Sequence, residues 1–229
     1  EAKDRGWTGV STGDLSQSMS PSWTYNKVNG GTDGGSNMIA NGLILMDWGG
    51  ATLQTMPYNE SDYTSWGSSS AFREAPLHRA KEVYYLEDSN AYVSDAKNLI
   101  DNEIPVTFSI DSNEYENGFA DNNTIISSEE YTGNETVNHA QTIVGYDDSI
   151  SDDGENGAFK VANSWGKGFG DNGYYWLTYD AFREIRDKQS LMFTFIEDQE
   201  DYDPSYLGVW HFDDAPTRNA SIRLGIGNA

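Results

Sequence analysis

The sequence changes its hydrophobic period once, near Pro105, and that change constrains the fold more than any other feature. Before it, apolar residues recur at helical spacing. Residues 36–48 (SNMIANGLILMDW) place Met38, Ile39, Leu43 and Met46 on one face, with Ser36 or Asn37 as a cap, and predict a short buried helix. A second helix is predicted over 70–82, interrupted or started near Pro76, and a third over 91–102, with Asp95 and Lys97 toward solvent and Leu99 and Ile100 inward. After Pro105 the pattern alternates: 106–110, 139–146, 158–163 with Phe159, Val161 and Asn163 on one face, 174–179 and 191–196 read as strands. Five such segments predict an antiparallel barrel or sheet. The fold class is therefore α+β, with a helical part over 1–104 and a β part over 105–197. The residues Glu1 to Arg5 read as the charged last turn of a helix ending at Gly6. The acidic run 197–203 before Pro204 reads as a linker, and 209–212 and 222–226 read as strands of a further β extension, so that 198–229 forms a third segment.

Composition removes several classes of function. There is no cysteine among the 229 residues, so these residues form no disulfide, no Cys-ligated zinc site and no thiolate. Fourteen Lys and Arg against 37 Asp and Glu leave a formal charge of −23, which opposes nucleic acid, because phosphate binding rests on Lys and Arg displacing counterions. No apolar run approaches the roughly 20 residues of a membrane span. Aromatic residues make up 13% of the chain, more than an unfolded acidic segment carries, so a packed core is expected. The acidic excess fits a salt-adapted protein, whose charges are screened within about 3 Å at 1 M salt, or an ordinary acidic extracellular one. The sequons at Asn59, Asn122, Asn134 and Asn219 agree weakly with an extracellular or cell-surface location.

Several motif matches fail in context. Gly9-Val-Ser11-Thr-Gly13 has the G-x-S-x-G pattern, but neither a strand before it nor a helix after it. Gly168-Phe-Gly170-Asp-Asn-Gly173 has the G-x-G-x-x-G pattern, yet an aromatic strand follows and Asp171 would repel a pyrophosphate. His78, His139 and His211 lack metal-site spacing, and Asp147, Asp148, Asp152 and Asp153 lack that of a calcium loop, so a solvated hairpin tip is the better reading and no metal is expected. No cofactor signature remains.

His139 and Asn163 are the informative pair. His139 opens the strand His-Ala-Gln-Thr-Ile-Val-Gly-Tyr146, and Asn163 closes the next one, directly before Ser164-Trp165-Gly166. If those strands pair through a hairpin over 147–157, the start of the first lies beside the end of the second, and imidazole and amide become neighbours. NHAQTIVGY and VANSWGKGFGDNGYYWL resemble the His and Asn segments of papain-like cysteine peptidases. Asp33-Gly34-Gly35-Ser36 resembles the family's cleft-lining glycine pair, and SPSWTYNKVNGG and ATLQTMPYN are similar to its bacterial and archaeal members. The resemblance covers roughly residues 14–196. It implies a partial helical lobe, a β-barrel lobe and a cleft between them, acting on polypeptides by a thiol acyl-enzyme route with no cofactor. It further implies that His139 is the acid and base, that Asn163 orients it, that Trp165 shields their contact, and that Gly34 and Gly35 receive substrate backbone.

The family's nucleophilic Cys and oxyanion Gln are absent. Since the sequence begins at what reads as the end of the helix that carries that Cys, the expectation is that the Cys lies some ten to twenty residues before Glu1. Ser22 in QSMSPSW echoes the family's nucleophile segment but leaves too few residues for the long helix before Asp33. The alternative is a papain-like pseudoenzyme that binds peptide or carbohydrate.

Overall fold

The computed structural model describes residues 5–86, 91–113, 123–131, 137–189, 193–199, 202–204 and 208. The readings made for residues 1–4, for the strands at 209–212 and 222–226, and for His211, Asn122, Asn134 and Asn219 lie outside the described residues. The first part of the chain is helical where its period says so. A single turn α1 (Gly9–Thr12) precedes α2 (Pro21–Val28), which carries Pro in its first turn, where a missing N–H leaves no helical bond unmade. Its Trp23 is fully buried and donates from Nε1 to the Gly49 carbonyl at 2.7 Å. The helix α3 (Met38–Asp47) is capped by Asn37, whose Oδ1 accepts from the Ile39 and Ala40 amides at 2.9 and 3.2 Å.

The second expected helix is shorter than its pattern implies. The helix α4 (Ser69–Glu74), capped by Ser68, gives way to a 3₁₀ turn over Ala75–Leu77, and Ala80–Leu86 is a strand, β1. Pro76 has no N–H to continue the helical ladder. Beyond it the backbone is satisfied by β7 (Phe193–Asp198), more than a hundred residues away, a partner that local periodicity cannot reveal. The third helix, α5 (Tyr92–Asp101), falls where expected, with Leu99 and Ile100 against the core.

The remaining strands are β2 (Val106–Ile110), β3 (Ile125–Ile126), β4 (His139–Asp152), β5 (Glu155–Ala162) and β6 (Tyr174–Thr178). They join one sheet in the order β1-β7-β2-β4-β5-β6-β3, with β3 parallel to β6 and every other neighbour antiparallel. Of the barrel or sheet expected, the strands form a sheet that is not closed: β1 and the two-residue β3 stand at opposite ends, and no ladder joins them among the described residues. The β4–β5 hairpin runs beyond Tyr146 to a tip at Asp153 and Gly154, whose φ values of 47° and 83° suit a two-residue Asp-Gly turn. After β6 the chain does not end its element at Tyr179 as read from sequence but starts α6 (Tyr179–Gln189), with the Ala181 amide donating to Thr178 Oγ1 at 3.1 Å. This helix lays Phe182 and Ile185 on the sheet. Phe182 meets Tyr92, Phe108 and Phe159 edge-on at ring separations of 5.6, 6.3 and 4.9 Å, forming the centre of the main core. A second core gathers Trp23, Ala51, Met56, Ala71 and Ala75 around α2 and α4.

Candidate active site

The hairpin β4–β5 sets the site. Pairing of Thr142 with Ala162 brings the first residue of β4 alongside the residue that follows β5. There His139 Nε2 lies 2.8 Å from Asn163 Oδ1. The Ser164 amide also points at Asn163 Oδ1, at 2.7 Å, which identifies that atom as the acceptor. The imidazole must then donate through Nε2–H, and Nδ1 is left as the ring nitrogen not used in this bond. Both residues are half-buried.

Each partner is braced from behind. The Asn163 amide donates to the Gly173 carbonyl at 3.0 Å, and the Gly173 amide to the Phe169 carbonyl at 2.8 Å, so the glycine-rich loop is a support for Asn163. Gly170 in that loop has φ +50°, and a Cβ there would lie 2.2 Å from the Tyr174 carbonyl oxygen, a requirement for glycine that arises from backbone approach and not from phosphate. On the other side, Asn138 holds the entrance to β4. Its Nδ2 donates to Asp111 at 2.7 Å, and its Oδ1 accepts from the Ser112 amide and hydroxyl, each at 2.9 Å. Asp111 and Ser112 are buried at the end of β2, and Ile110 pairs with His139. Sequence reading missed this clamp, since an Asn before a His carries no signal until β2 lies beside β4.

Trp165 stacks on the imidazole, with ring centroids 4.9 Å apart and planes inclined by 27°. Phe169 props the indole edge-on at 5.0 Å. The indole remains 39% exposed, so it covers one face of the His139–Asn163 contact without sealing it. The opposite wall of the adjoining cleft is formed by Gly34 and Gly35. That cleft, of about 720 Å³, is bordered by these glycines, Thr24 and Met38 on one side and by His139 and Ala140 on the other. Of the residues selected from the sequence, Gly34, Gly35 and His139 line it, whereas Asn163 and Trp165 join through their hydrogen bond and stack on His139.

The motif matches set aside in the sequence have structural roles. The Ser11 hydroxyl donates to the Thr8 carbonyl at 2.9 Å within a single helical turn. His78 is buried edge-on to Trp7 at 5.3 Å. Ser22 is buried in α2 and faces a different pocket from His139. Asp148 is bound by Lys97 of α5 at 2.7 Å and by the Tyr179 hydroxyl at 2.7 Å, and Asp147 accepts from Ser149, which disperses the acidic pairs among local partners.

The family model for papain family cysteine proteases matches residues 13–193. The chain belongs to the papain family. Its fold is similar to xylellain, a cysteine protease from Xylella fastidiosa, at 20% identity over 86% of this chain and 76% of that one, with a TM-score of 0.60. It is similar also to the bromelain protease from Ananas comosus in complex with the E64 inhibitor, at 17% identity over 82% and 81% of the two chains and a TM-score of 0.59. SERA5E from Plasmodium falciparum matches at 20% identity over 80% and 77%, with a TM-score of 0.57. No curated protein sequence matches the chain. Membership makes this a cysteine-peptidase fold acting on polypeptide, while the sequence itself contains no cysteine. No helix among the described residues is long and apolar enough to cross a membrane.

Proposed function

We propose that this chain provides the imidazole and orienting amide of a papain-type peptidase site, with residues 105–197 as the lobe that carries them. The 2.8 Å contact between His139 Nε2 and Asn163 Oδ1, beside a cleft walled by Gly34 and Gly35, is the observation that supports it. With Nε2–H committed to Asn163, Nδ1 is the nitrogen that exchanges protons with the reactants. A thiol brought to that side loses its proton to Nδ1, and the resulting imidazolium stabilises the thiolate. Attack on a peptide carbonyl forms the S–C bond. The His139 imidazolium then protonates the leaving nitrogen as the C–N bond breaks, and the neutral ring next takes a proton from the water that cleaves the thioester.

Asn163 is uncharged, so it fixes ring orientation and tautomer without pulling the proton toward a carboxylate. Gly34 and Gly35 have no side chain to hold a substrate backbone away, which suits an extended peptide. An extracellular or cell-surface setting, including a saline one, belongs to the same proposal and is supported by the charge of −23.

The decisive experiment joins the Cys-bearing segment of a papain-family enzyme to this chain and follows cleavage of a fluorogenic peptide. We expect thiol-dependent turnover, absent without the added segment and reduced by at least about 100-fold in His139→Ala. Equal activity in His139→Ala would refute the assignment. Peptide binding without turnover would favour the non-catalytic binding module.

A further inference from the structure

A second concavity, of about 250 Å³, adjoins the cleft at the Asp33–Gly34 peptide: Asp33 lines the smaller pocket and Gly34 the larger one. It is lined by Tyr25, Tyr58 and Tyr63 and by Asp33, Glu60 and Asp62, and no Lys, Arg or His among the described residues lines it. The pocket is organised from below by buried amides. Asn26, 4% exposed, donates to the Asp62 and Ser65 carbonyls at 3.0 and 2.9 Å, and Asn29, 7% exposed, to the Tyr63 carbonyl at 2.7 Å. These bonds tie the 62–65 loop to α2. On the cleft side, the Tyr25 hydroxyl donates to Asp33 Oδ1 at 2.8 Å and accepts from the Gly35 amide at 3.3 Å, so the pocket wall and the glycine pair are one connected unit. Tyr58 stands at the mouth, 60% exposed.

Tyrosine faces carry negative electrostatic potential, and carboxylates beside them add charge and hydrogen-bond acceptors. An anionic ligand is repelled by such walls, and a purely apolar one covers the carboxylates without pairing them. A flat cation gains twice, by stacking on a ring and by donating to a carboxylate. We propose that the Tyr25–Tyr58–Tyr63 pocket binds the guanidinium of an arginine side chain carried by the polypeptide that lies along Gly34 and Gly35. The identity of the ligand as polypeptide rests on the reading of the cleft given above; the cation preference rests on the pocket alone. It makes this chain selective for arginine at a position away from His139, on the far side of the glycine pair.

The test compares the peptide acetyl-Gly-Ala-Arg-Ala-Gly-amide with its citrulline counterpart, in which a neutral urea replaces guanidinium at nearly constant shape. Affinity is measured by calorimetry on the 229-residue protein, and the His139 and tyrosine ring signals are followed by NMR. We expect the arginine peptide to bind about tenfold more tightly than the citrulline peptide, with Asp33→Asn and Tyr58→Ala each removing most of that difference. Both positions are exposed, so neither substitution disturbs the core. Equal affinity for the two peptides, or a difference that survives in both variants, overturns the pocket assignment whether or not His139 responds. Discrimination that is lost in the variants, with tyrosine signals moving and His139 silent, upholds the cation pocket and counts against the cleft reading instead.

Discussion

Replacing Asn163 by Asp tests the heart of the site in the protein as it stands. The substitution keeps the shape of the side chain and puts a formal charge where a neutral oxygen now lies 2.8 Å from His139 Nε2. Charge centres roughly 4 Å apart attract by about 1 kcal/mol in water and about 4 kcal/mol at an effective dielectric of 20. The pair is half-buried under the Trp165 indole, so the interaction falls between these limits. At 1.36 kcal/mol per unit, the imidazolium is stabilised by about 1 to 3 pKa units. The assay is a titration of the His139 ring carbons and nitrogens by two-dimensional NMR in the parent and in Asn163→Asp. His78, packed edge-on against Trp7 and not a lining residue of the His139 cleft, serves as the internal control and stays fixed. In Asn163→Ala the Nε2–H tautomer loses its acceptor, and the ring nitrogen shifts move toward a tautomer mixture. An upward shift below about 0.3 unit in Asn163→Asp, or an equal response at His78, would show that amide and imidazole are not held together in solution.

Further tests address the scaffold and its pH response. Phe182→Ala empties the point where α6 meets Tyr92, Phe108 and Phe159, and should cost about 3–5 kcal/mol in urea unfolding. Gly49→Ala places a Cβ 1.7 Å from the Ala75 carbonyl oxygen at a φ of +82°, so it should destabilise by at least about 2 kcal/mol and redshift the Trp23 emission as that indole loses its bond to the Gly49 carbonyl. Burial lowers the Lys27 pKa to about 8, so below that pH both folded and unfolded chains hold its proton. From about 8 upward the unfolded chain binds more protons, and Lys27 makes stability rise with pH toward its ordinary value. Tyrosines act oppositely: Tyr84, raised to about 12 by its bonds to Glu197 and Glu82, and Tyr179, raised by burial and by Asp148, keep their protons when the unfolded chain has lost them. Stability should therefore climb above pH 8, turn over near 10 and fall beyond it, as read by thermal melts from pH 7 to 11. Lys27→Met should remove the climb and leave the fall.

The sequence by itself determined the elements whose information is local. The helix over 36–48 and its Asn37 cap are α3, but not the buried helix expected, since Leu43 is 48% exposed and only Gly42 is buried; the alternation of 106–110 is β2, and the Asp153-Gly154 pair is the hairpin tip. It also determined the pair at the site, because His139 and Asn163 end consecutive strands of one hairpin and antiparallel pairing leaves them little choice but to meet. Tertiary structure decided what depends on distant partners. Ala80–Leu86 is a strand only because β7 satisfies it from across the chain, and the sheet is open because β1 and β3 finish at opposite ends.

The same distinction runs through the site. That Asn163 Oδ1 accepts from His139 follows from the Ser164 amide, next to it in the chain, whereas the bracing of His139 through Asn138 and Asp111 needed β2 beside β4. The meeting of Tyr25, Asp33 and Tyr58 in one pocket joins three segments that share no period and no motif. Hydrogen-bond geometry and side-chain periodicity act over a few residues and can be read along the chain, while burial and charge environment are sums over neighbours that only folding assembles.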